Sequence, residues 1–174
     1  GRQDPHRAAA GGMIRALLLV SAAASLVPWS AAAGAQTRSA ETVLMSENPE
    51  GRAFQERYGY SDAVVAGDTI YLSGVVVGQR ESETLEAAYE RTYGQIGAIL
   101  KRAGAGWDDV VDVTSYHTDV MAQFEAMAAV HKRHLAAPYP AWTAIDVDRL
   151  IPERGITEIK IVARRPRPAP ASGE

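Results

Sequence analysis

The segment at residues 138–147 constrains the fold more strongly than any other part of this sequence. Pro138 and Pro140 each fix a φ angle and remove a backbone donor, so a helix that precedes them must end there. Beyond them the chain alternates with a period of two, which is the period of a β-strand. One face carries Trp142, Ala144 and Asp146, and the other carries Thr143, Ile145 and Val147. The segment is therefore predicted to be a strand that begins at a proline-marked loop.

Two other segments have the spacing of amphipathic helices. The first covers residues 85–103, with Ser82 as the predicted N-cap and Gly104 as the predicted stop. The second follows Asp119, a suitable cap, and ends before Pro138. Their mostly apolar faces consist of Leu85, Ala88, Tyr89, Thr92, Ile96, Ile99, Leu100 and Ala103, and of Phe124, Met127, Val130, His131 and Leu135.

Further strands are predicted on both sides of these helices. Residues 61–66 and 69–73 flank Gly67-Asp68, a two-residue hairpin signal because glycine tolerates positive φ. Residues 75–78 continue or bulge the second strand, and residues 110–117 are rich in β-branched side chains. With the strand after Pro140 and another over residues 156–163, the order is β-β-α-β-α-β-β, preceded by a short strand at residues 42–45.

This order predicts an α+β domain with a six-stranded mixed sheet and both helices on one face. Two helices cannot cover both faces of such a sheet, so the second face needs another partner, most simply another subunit. A chain that is 47% hydrophobic and 22% charged suits one globular domain with its own core.

The terminal segments have a different character from the domain. Met13 resembles a natural start, so residues 1–12 are interpreted as an upstream or artificial extension. A basic Arg15, an apolar run over residues 16–27 and an Ala33-Gly34-Ala35 ending predict a signal peptide at residues 13–35 and a periplasmic or secreted protein. The run is short for a membrane span of about 20 apolar residues, although an uncleaved anchor is the alternative. Residues 36–50 are predicted to be a lead-in and residues 166–174 a disordered proline-rich tail.

Composition excludes several classes of function. A formal charge of −3 gives no basic surface for nucleic acid, and the absence of cysteine excludes thiolate catalysis and thiolate metal sites. His131 and His134 are three residues apart on the second helix and His117 ends a strand, but no metal-binding motif contains them. We therefore expect no metal, no cofactor, and no stable membrane association after signal cleavage.

Three motifs resemble the Rid family of reactive-intermediate deaminases (YjgF/RidA-like proteins). They are the 67–74 segment ending in Ser73-Gly74, Pro140-Ala141-Trp142-Thr143, and Thr157-Glu158-Ile159. The resemblance extends over about residues 41–165, with the domain itself at residues 51–165. It implies a chorismate-mutase-like subunit that forms a homotrimer, with small-molecule clefts between the subunits.

The resemblance also implies the roles of individual residues. In active members an arginine in the proline-containing motif binds a substrate carboxylate, and Glu158 matches the glutamate that positions or activates water. Tyr60, Ser73, Gly74, Trp142 and Thr143 match the positions that contact the ligand. Trp142 occupies the place of the arginine, while Arg102, Arg149 and Arg154 lie elsewhere in the sequence. An indole cannot replace the paired donors of a guanidinium.

Two interpretations of Trp142 follow, and the residues leave both open. The indole either stacks on a planar or cationic ligand, or fills the volume of the missing side chain. The corresponding functions are a deaminase-like hydrolase for an imine, enamine or related metabolite other than the usual 2-imino acids, and a non-catalytic metabolite-binding protein. A ribonuclease is disfavoured because no basic patch or paired general acid and base is evident.

Overall fold

The computed structural model of the protein describes residues 38–166. The predicted extension at 1–12, the predicted signal peptide at 13–35 and the tail beyond Pro166 lie outside the described residues. Among residues 38–166, no helix has both the length and the apolar character needed to cross a membrane. The elements in chain order are β1 (Val43–Leu44), α1 (Pro49–Tyr58), β2 (Ala63–Ala66), β3 (Thr69–Leu72), β4 (Val75–Gly78), α2 (Leu85–Arg102), a 3-10 turn (Trp107–Asp109), β5 (Val110–His117), α3 (Val120–His134), β6 (Ala141–Asp146) and β7 (Gly155–Arg164).

The strands form one mixed seven-stranded sheet in the order β1-β2-β3-β7-β5-β6, and β4 also pairs with β7. Every pairing is antiparallel except that of β5 with β6, which α3 connects. The count exceeds the predicted six because the chain breaks at Ser73-Gly74. Tyr71 on β3 faces Val162, and Val75 on β4 faces Ile159, so both strands pair with β7 in succession. The predicted α+β architecture is confirmed.

Helix α1 was not expected from the sequence, which predicted only a lead-in up to residue 50. Its boundaries carry clear local signals: Asn48 accepts hydrogen bonds from the backbone N–H groups of Glu50 (2.9 Å) and Gly51 (3.2 Å), and Gly59 follows the helix with φ of 75°. These are the caps that favour a helix start and stop. Of its own residues only Gln55 is buried, so the helix lacks the apolar periodicity used to find α2 and α3.

The two longer helices begin and end close to the predicted positions. Thr84 rather than Ser82 caps α2, because its hydroxyl oxygen accepts a hydrogen bond from the Ala87 N–H at 3.2 Å. Gly104 follows the end of this helix with φ of 81°, as a stop residue should. Asp119 caps α3 by accepting a hydrogen bond from the Ala122 N–H at 3.0 Å.

One face of the sheet packs against α2 and α3 and forms the core. Along β7 the buried positions alternate strictly with less buried ones, so that Ile159 and Ile161 point to the helices while Glu158 and Lys160 point away. The core consists mainly of Ala63, Val65, Ile70, Leu72, Val77, Ala88, Tyr89, Tyr93, Ile96, Leu100, Val113, Met127, Val130, Ile159, Ile161 and Ala163. Neither α2 nor α3 covers the opposite face, as the helix count predicts.

Candidate functional site

An open cleft of about 520 Å³ lies beside the break between β3 and β4. The sheet edge contributes one wall, the segment around α1 contributes a second, and the last turns of α2 contribute a third. The cleft brings together Tyr60, Ser73 and Gly74, which the sequence had identified as ligand-binding candidates. The other lining residues are Ser46, Glu47, Asn48, Gln55, Asp62, Val75, Val76, Gln95, Ala98, Ile99, Arg102 and Pro152.

Glu158 contacts Gly74, which lines this cleft, although Glu158 is not itself one of the lining residues. It lies on β7 opposite Val76, on the sheet face that points away from α2 and α3. A Cβ atom built on Gly74 would collide with the Glu158 carboxylate, so the carboxylate lies directly against the glycine backbone. The absence of a side chain at position 74 therefore allows Glu158 to pack against the backbone of a residue that lines the cleft.

The polar groups of Tyr60 and Ser73 are arranged for hydrogen bonding rather than for nucleophilic attack. Burial, with a smaller effect of the Asp62 charge, raises the pKa of Tyr60, which keeps its phenol protonated as a donor. The Ser73 hydroxyl donates to the Ser61 carbonyl at 2.6 Å. Its proton is thus occupied, while its oxygen retains lone pairs that can accept a bond from a ligand.

Arg102 enters the cleft from the last turn of α2, a position that the sequence analysis did not assign to the site. Its guanidinium donates to Asp62 Oδ2 at 3.1 Å and to the Met45 carbonyl at 2.6 Å, and its Nε lies 3.4 Å from Glu47 Oε1. Asp62 is itself held by Gln55, whose amide donates to Oδ1 at 2.6 Å. Helical spacing from Ile99 could have placed Arg102 on this face, but the segments that surround it come from distant parts of the sequence.

Trp142 and Thr143 lie at the other end of the sheet, on the edge strand β6. The Trp142 ring stacks on His131 (centroids 4.2 Å apart, 14° between planes) and on Phe124 (5.0 Å, 23°). Thr143 is exposed on the opposite face of the strand. A single subunit therefore does not bring these two residues to the cleft, and the packing of Trp142 favours the interpretation in which the indole fills volume.

His117 and His131 have structural roles in this arrangement. His117 Nε2 lies 2.9 Å from the Ser115 hydroxyl oxygen, and both residues are fully buried. His131 Nδ1 lies 3.0 Å from the Tyr93 hydroxyl, and burial lowers the pKa of His131 to about 4. Within residues 38–166, no group of three potential metal-binding side chains lies together.

Comparisons with known proteins place this geometry in context. The sequence model of the family described as Endoribonuclease L-PSP matches residues 50–165, which contain all six site residues predicted from the sequence. The RutC family protein YjgH of Escherichia coli (strain K12) is 39% identical over 125 residues, covering 68% of this chain and 92% of that protein. A 2-iminobutanoate/2-iminopropanoate deaminase of Capra hircus is 33% identical over 109 residues, covering 60% of this chain and 78% of that protein.

A solved structure shares the fold as well. The structure described as protein YJGH superposes with a TM-score of 0.62 and 33% sequence identity, covering 76% of this chain and all of that chain (100%). The mixed sheet with its helices is therefore an architecture that experimental structures of similar sequences also adopt.

Proposed function

The chain belongs to the Rid family, some of whose members are named imine deaminases, and on this basis we propose that it is a deaminase-like hydrolase. Its substrate is an imine, enamine or related metabolite other than the usual small 2-imino acids. Glu158 acts on a bound water, and Tyr60, Ser73 and Gly74 hold the ligand.

The observation that carries this proposal is the Glu158 carboxylate lying against the backbone of Gly74, a residue that lines the same cleft as Tyr60 and Ser73. A carboxylate in that position takes a proton from water as the water oxygen bonds to the carbon of a C=N group. That proton passes to the nitrogen and gives a carbinolamine. Glu158 then transfers the hydroxyl proton of the carbinolamine to the same nitrogen as the C–N bond breaks, so that ammonia leaves and the carbonyl product remains. The water consumed balances the ammonia released, so the reaction requires no cofactor.

The altered substrate class rests on position 142. The indole of Trp142 offers one N–H, and that group already donates to the Ser115 hydroxyl oxygen at 2.9 Å. It cannot supply the two parallel hydrogen bonds with which an arginine orients a carboxylate. We therefore expect slow turnover of small 2-imino acids, whose acid group adjoins the reacting carbon.

The direct test is ammonium release from freshly generated imines of different chain lengths, measured for the wild type and for Glu158→Gln. Glu125→Gln is the matched control, since Glu125 is an exposed residue of α3. The proposal requires turnover that Glu158→Gln abolishes and Glu125→Gln leaves intact. Turnover unaffected by Glu158→Gln would refute the assigned role.

A second candidate function is metabolite binding without turnover. The loss of the motif arginine favours it, because an anchoring contact is missing while the cleft remains. Saturable ligand binding with no product from any substrate would select this candidate. A ribonuclease activity is disfavoured, because Glu47 and Asp62 line the cleft beside Arg102 and the whole chain carries a net charge of −3.

Assembly and location complete the proposal. A homotrimer would cover the sheet face that α2 and α3 leave open, and it would form small-molecule clefts between subunits to which Thr143 of β6 contributes. The basic and apolar pattern at residues 13–35 supports export to the periplasm or the medium.

A further inference from the structure

Arg102 is the feature of the cleft that the family motif does not account for. It lines the same cleft as Tyr60, Ser73 and Gly74, and its side chain is 28% exposed, so a small ligand can reach it. A guanidinium that is partly buried and partly open is a natural partner for a carboxylate, because it presents several N–H donors in a fixed plane.

Two carboxylates already contact Arg102, but they differ in how firmly they are held. Asp62 is 19% exposed and is fixed by the amide of Gln55, which is itself 3% exposed. Glu47 is 79% exposed and lies 3.4 Å from the Arg102 Nε. Water screens such an exposed pair and the long side chain gains freedom on release, so Glu47 separates from Arg102 at little cost.

We propose that Arg102 binds the carboxylate of the ligand in this cleft and that this carboxylate displaces Glu47. The exchange replaces one carboxylate by another, so the charge around Arg102 stays balanced while Asp62 remains in place. The inference rests on the proposed function for the cleft itself, and it narrows the substrate to an imine or enamine that also carries an acid group.

The position of Arg102 sets this substrate apart from small 2-imino acids. Arg102 reaches the cleft from the end of α2, whereas the motif position lies on β6 at the other end of the sheet. The acid group is therefore held at a wall of the cleft that the motif position does not form within this subunit. Arg102 acts as a specificity-determining residue, and Glu158 remains the group that acts on water.

The test measures binding to the full-length protein by calorimetry, with 4-oxopentanoate and 5-oxohexanoate as carboxylate probes and their neutral amides as paired controls. Arg102→Gln is expected to weaken binding of both acids by about tenfold or more, because a charged hydrogen-bond partner is lost. Binding of the amides should not change. Glu47→Gln is expected to strengthen binding of the acids by about two- to fivefold, because a weak competitor is removed.

Arg133→Gln is the matched control, since Arg133 is an exposed arginine that pairs with Glu86 and Glu90 on the outer surface of the helices. If Arg102→Gln fails to fold, the Glu47→Gln result decides alone. The inference is overturned if the amides bind as well as the acids, if the acids bind neither the wild type nor Glu47→Gln, or if neither variant changes their affinity.

The same proteins separate this inference from the proposed function. Glu158→Gln should lose turnover and retain Arg102-dependent binding of the acids. Arg102-dependent binding without turnover in the wild type would refute the hydrolase and leave Arg102 as the anchor of a binding protein. Turnover that survives Arg102→Gln with unchanged KM for acidic substrates would refute the anchor and leave the hydrolase.

Discussion

Trp142 and Ser115 are joined across the parallel strands β5 and β6, where the indole N–H donates to the Ser115 hydroxyl oxygen at 2.9 Å. The same oxygen lies 2.9 Å from His117 Nε2, so position 142 belongs to a polar network under α3. In this subunit the residue at the arginine position of the motif is thus part of the domain interior. A substitution at position 142 therefore acts first on the stability of the domain.

Trp142→Arg should destabilise the domain rather than restore deaminase activity on small 2-imino acids. It would place a charge beside His131, which is neutral, and remove the stacking on Phe124, at a cost of about 2–4 kcal/mol in the free energy of unfolding. Trp142→Phe keeps an aromatic ring and should cost about 1 kcal/mol for the lost hydrogen bond. Urea denaturation measures both, and a Trp142→Arg protein as stable as the wild type would contradict this prediction.

Gly74→Ala should impair catalysis far more than stability. The added Cβ collides with the end of the Glu158 side chain, which can move aside at a cost of about 1 kcal/mol or less. Turnover should fall because the carboxylate leaves its position, and adding Glu158→Gln should cause no further loss. Gly94→Ala is the control: apart from the backbone of α2 itself, nothing lies within 4 Å of its added Cβ, and it should stabilise α2 by about 1 kcal/mol. Equal activity of Gly74→Ala and the wild type would rule out the assigned contact.

His131 should make the protein less stable in mild acid. Burial, followed by the nearby His134, lowers the pKa of His131 from 6.5 to about 4 in the folded state. Its contribution is therefore complete above pH 6.5 and is lost as the pH falls toward 4, because the unfolded chain binds the proton first, with a slope of up to about 1.4 kcal/mol per pH unit. Unfolding free energies of the wild type and His131→Gln across this range should converge at low pH, and parallel curves would contradict the prediction.

The mature domain should be a trimer in light scattering at micromolar concentration. Ile145 is 42% exposed on the sheet face that the helices leave open, so Ile145→Glu should weaken assembly by placing a charge in the interface. Met121→Glu is the control, since Met121 is 88% exposed at the start of α3. A stable wild-type monomer would remove the subunit clefts proposed for the protein.

Export should leave a processed N-terminus. Cleavage after Ala35 would make Gln36 the first residue of the protein isolated from its native host, and Edman sequencing or mass spectrometry of the intact chain reads this directly. Recovery of the uncleaved chain from the cytoplasm would contradict the prediction.

The sequence by itself determined the elements whose signals are local. The spacing of Leu85, Ile96 and Leu100 located α2, and Gly67-Asp68 located the β2–β3 hairpin, because side-chain period and turn chemistry act within a few residues. The same reasoning missed α1. Its caps, Asn48 and Gly59, are local signals, but only Gln55 of its own residues is buried, so the helix has no apolar face to give a helical period. Short motifs predicted membership of the Rid family, and the match to the family's sequence model confirmed it.

Only the tertiary structure decided which face of β6 lies inside and which charges meet in the cleft. Alternation placed Trp142 and Ile145 on opposite faces, but a period of two gives relative and not absolute orientation, and the helices cover the tryptophan side. Arg102 meets Asp62 across 40 residues and the Met45 carbonyl across 57. No local sequence pattern encodes these contacts, because they depend on how α2 packs on the sheet and on where β1 joins the edge of the sheet.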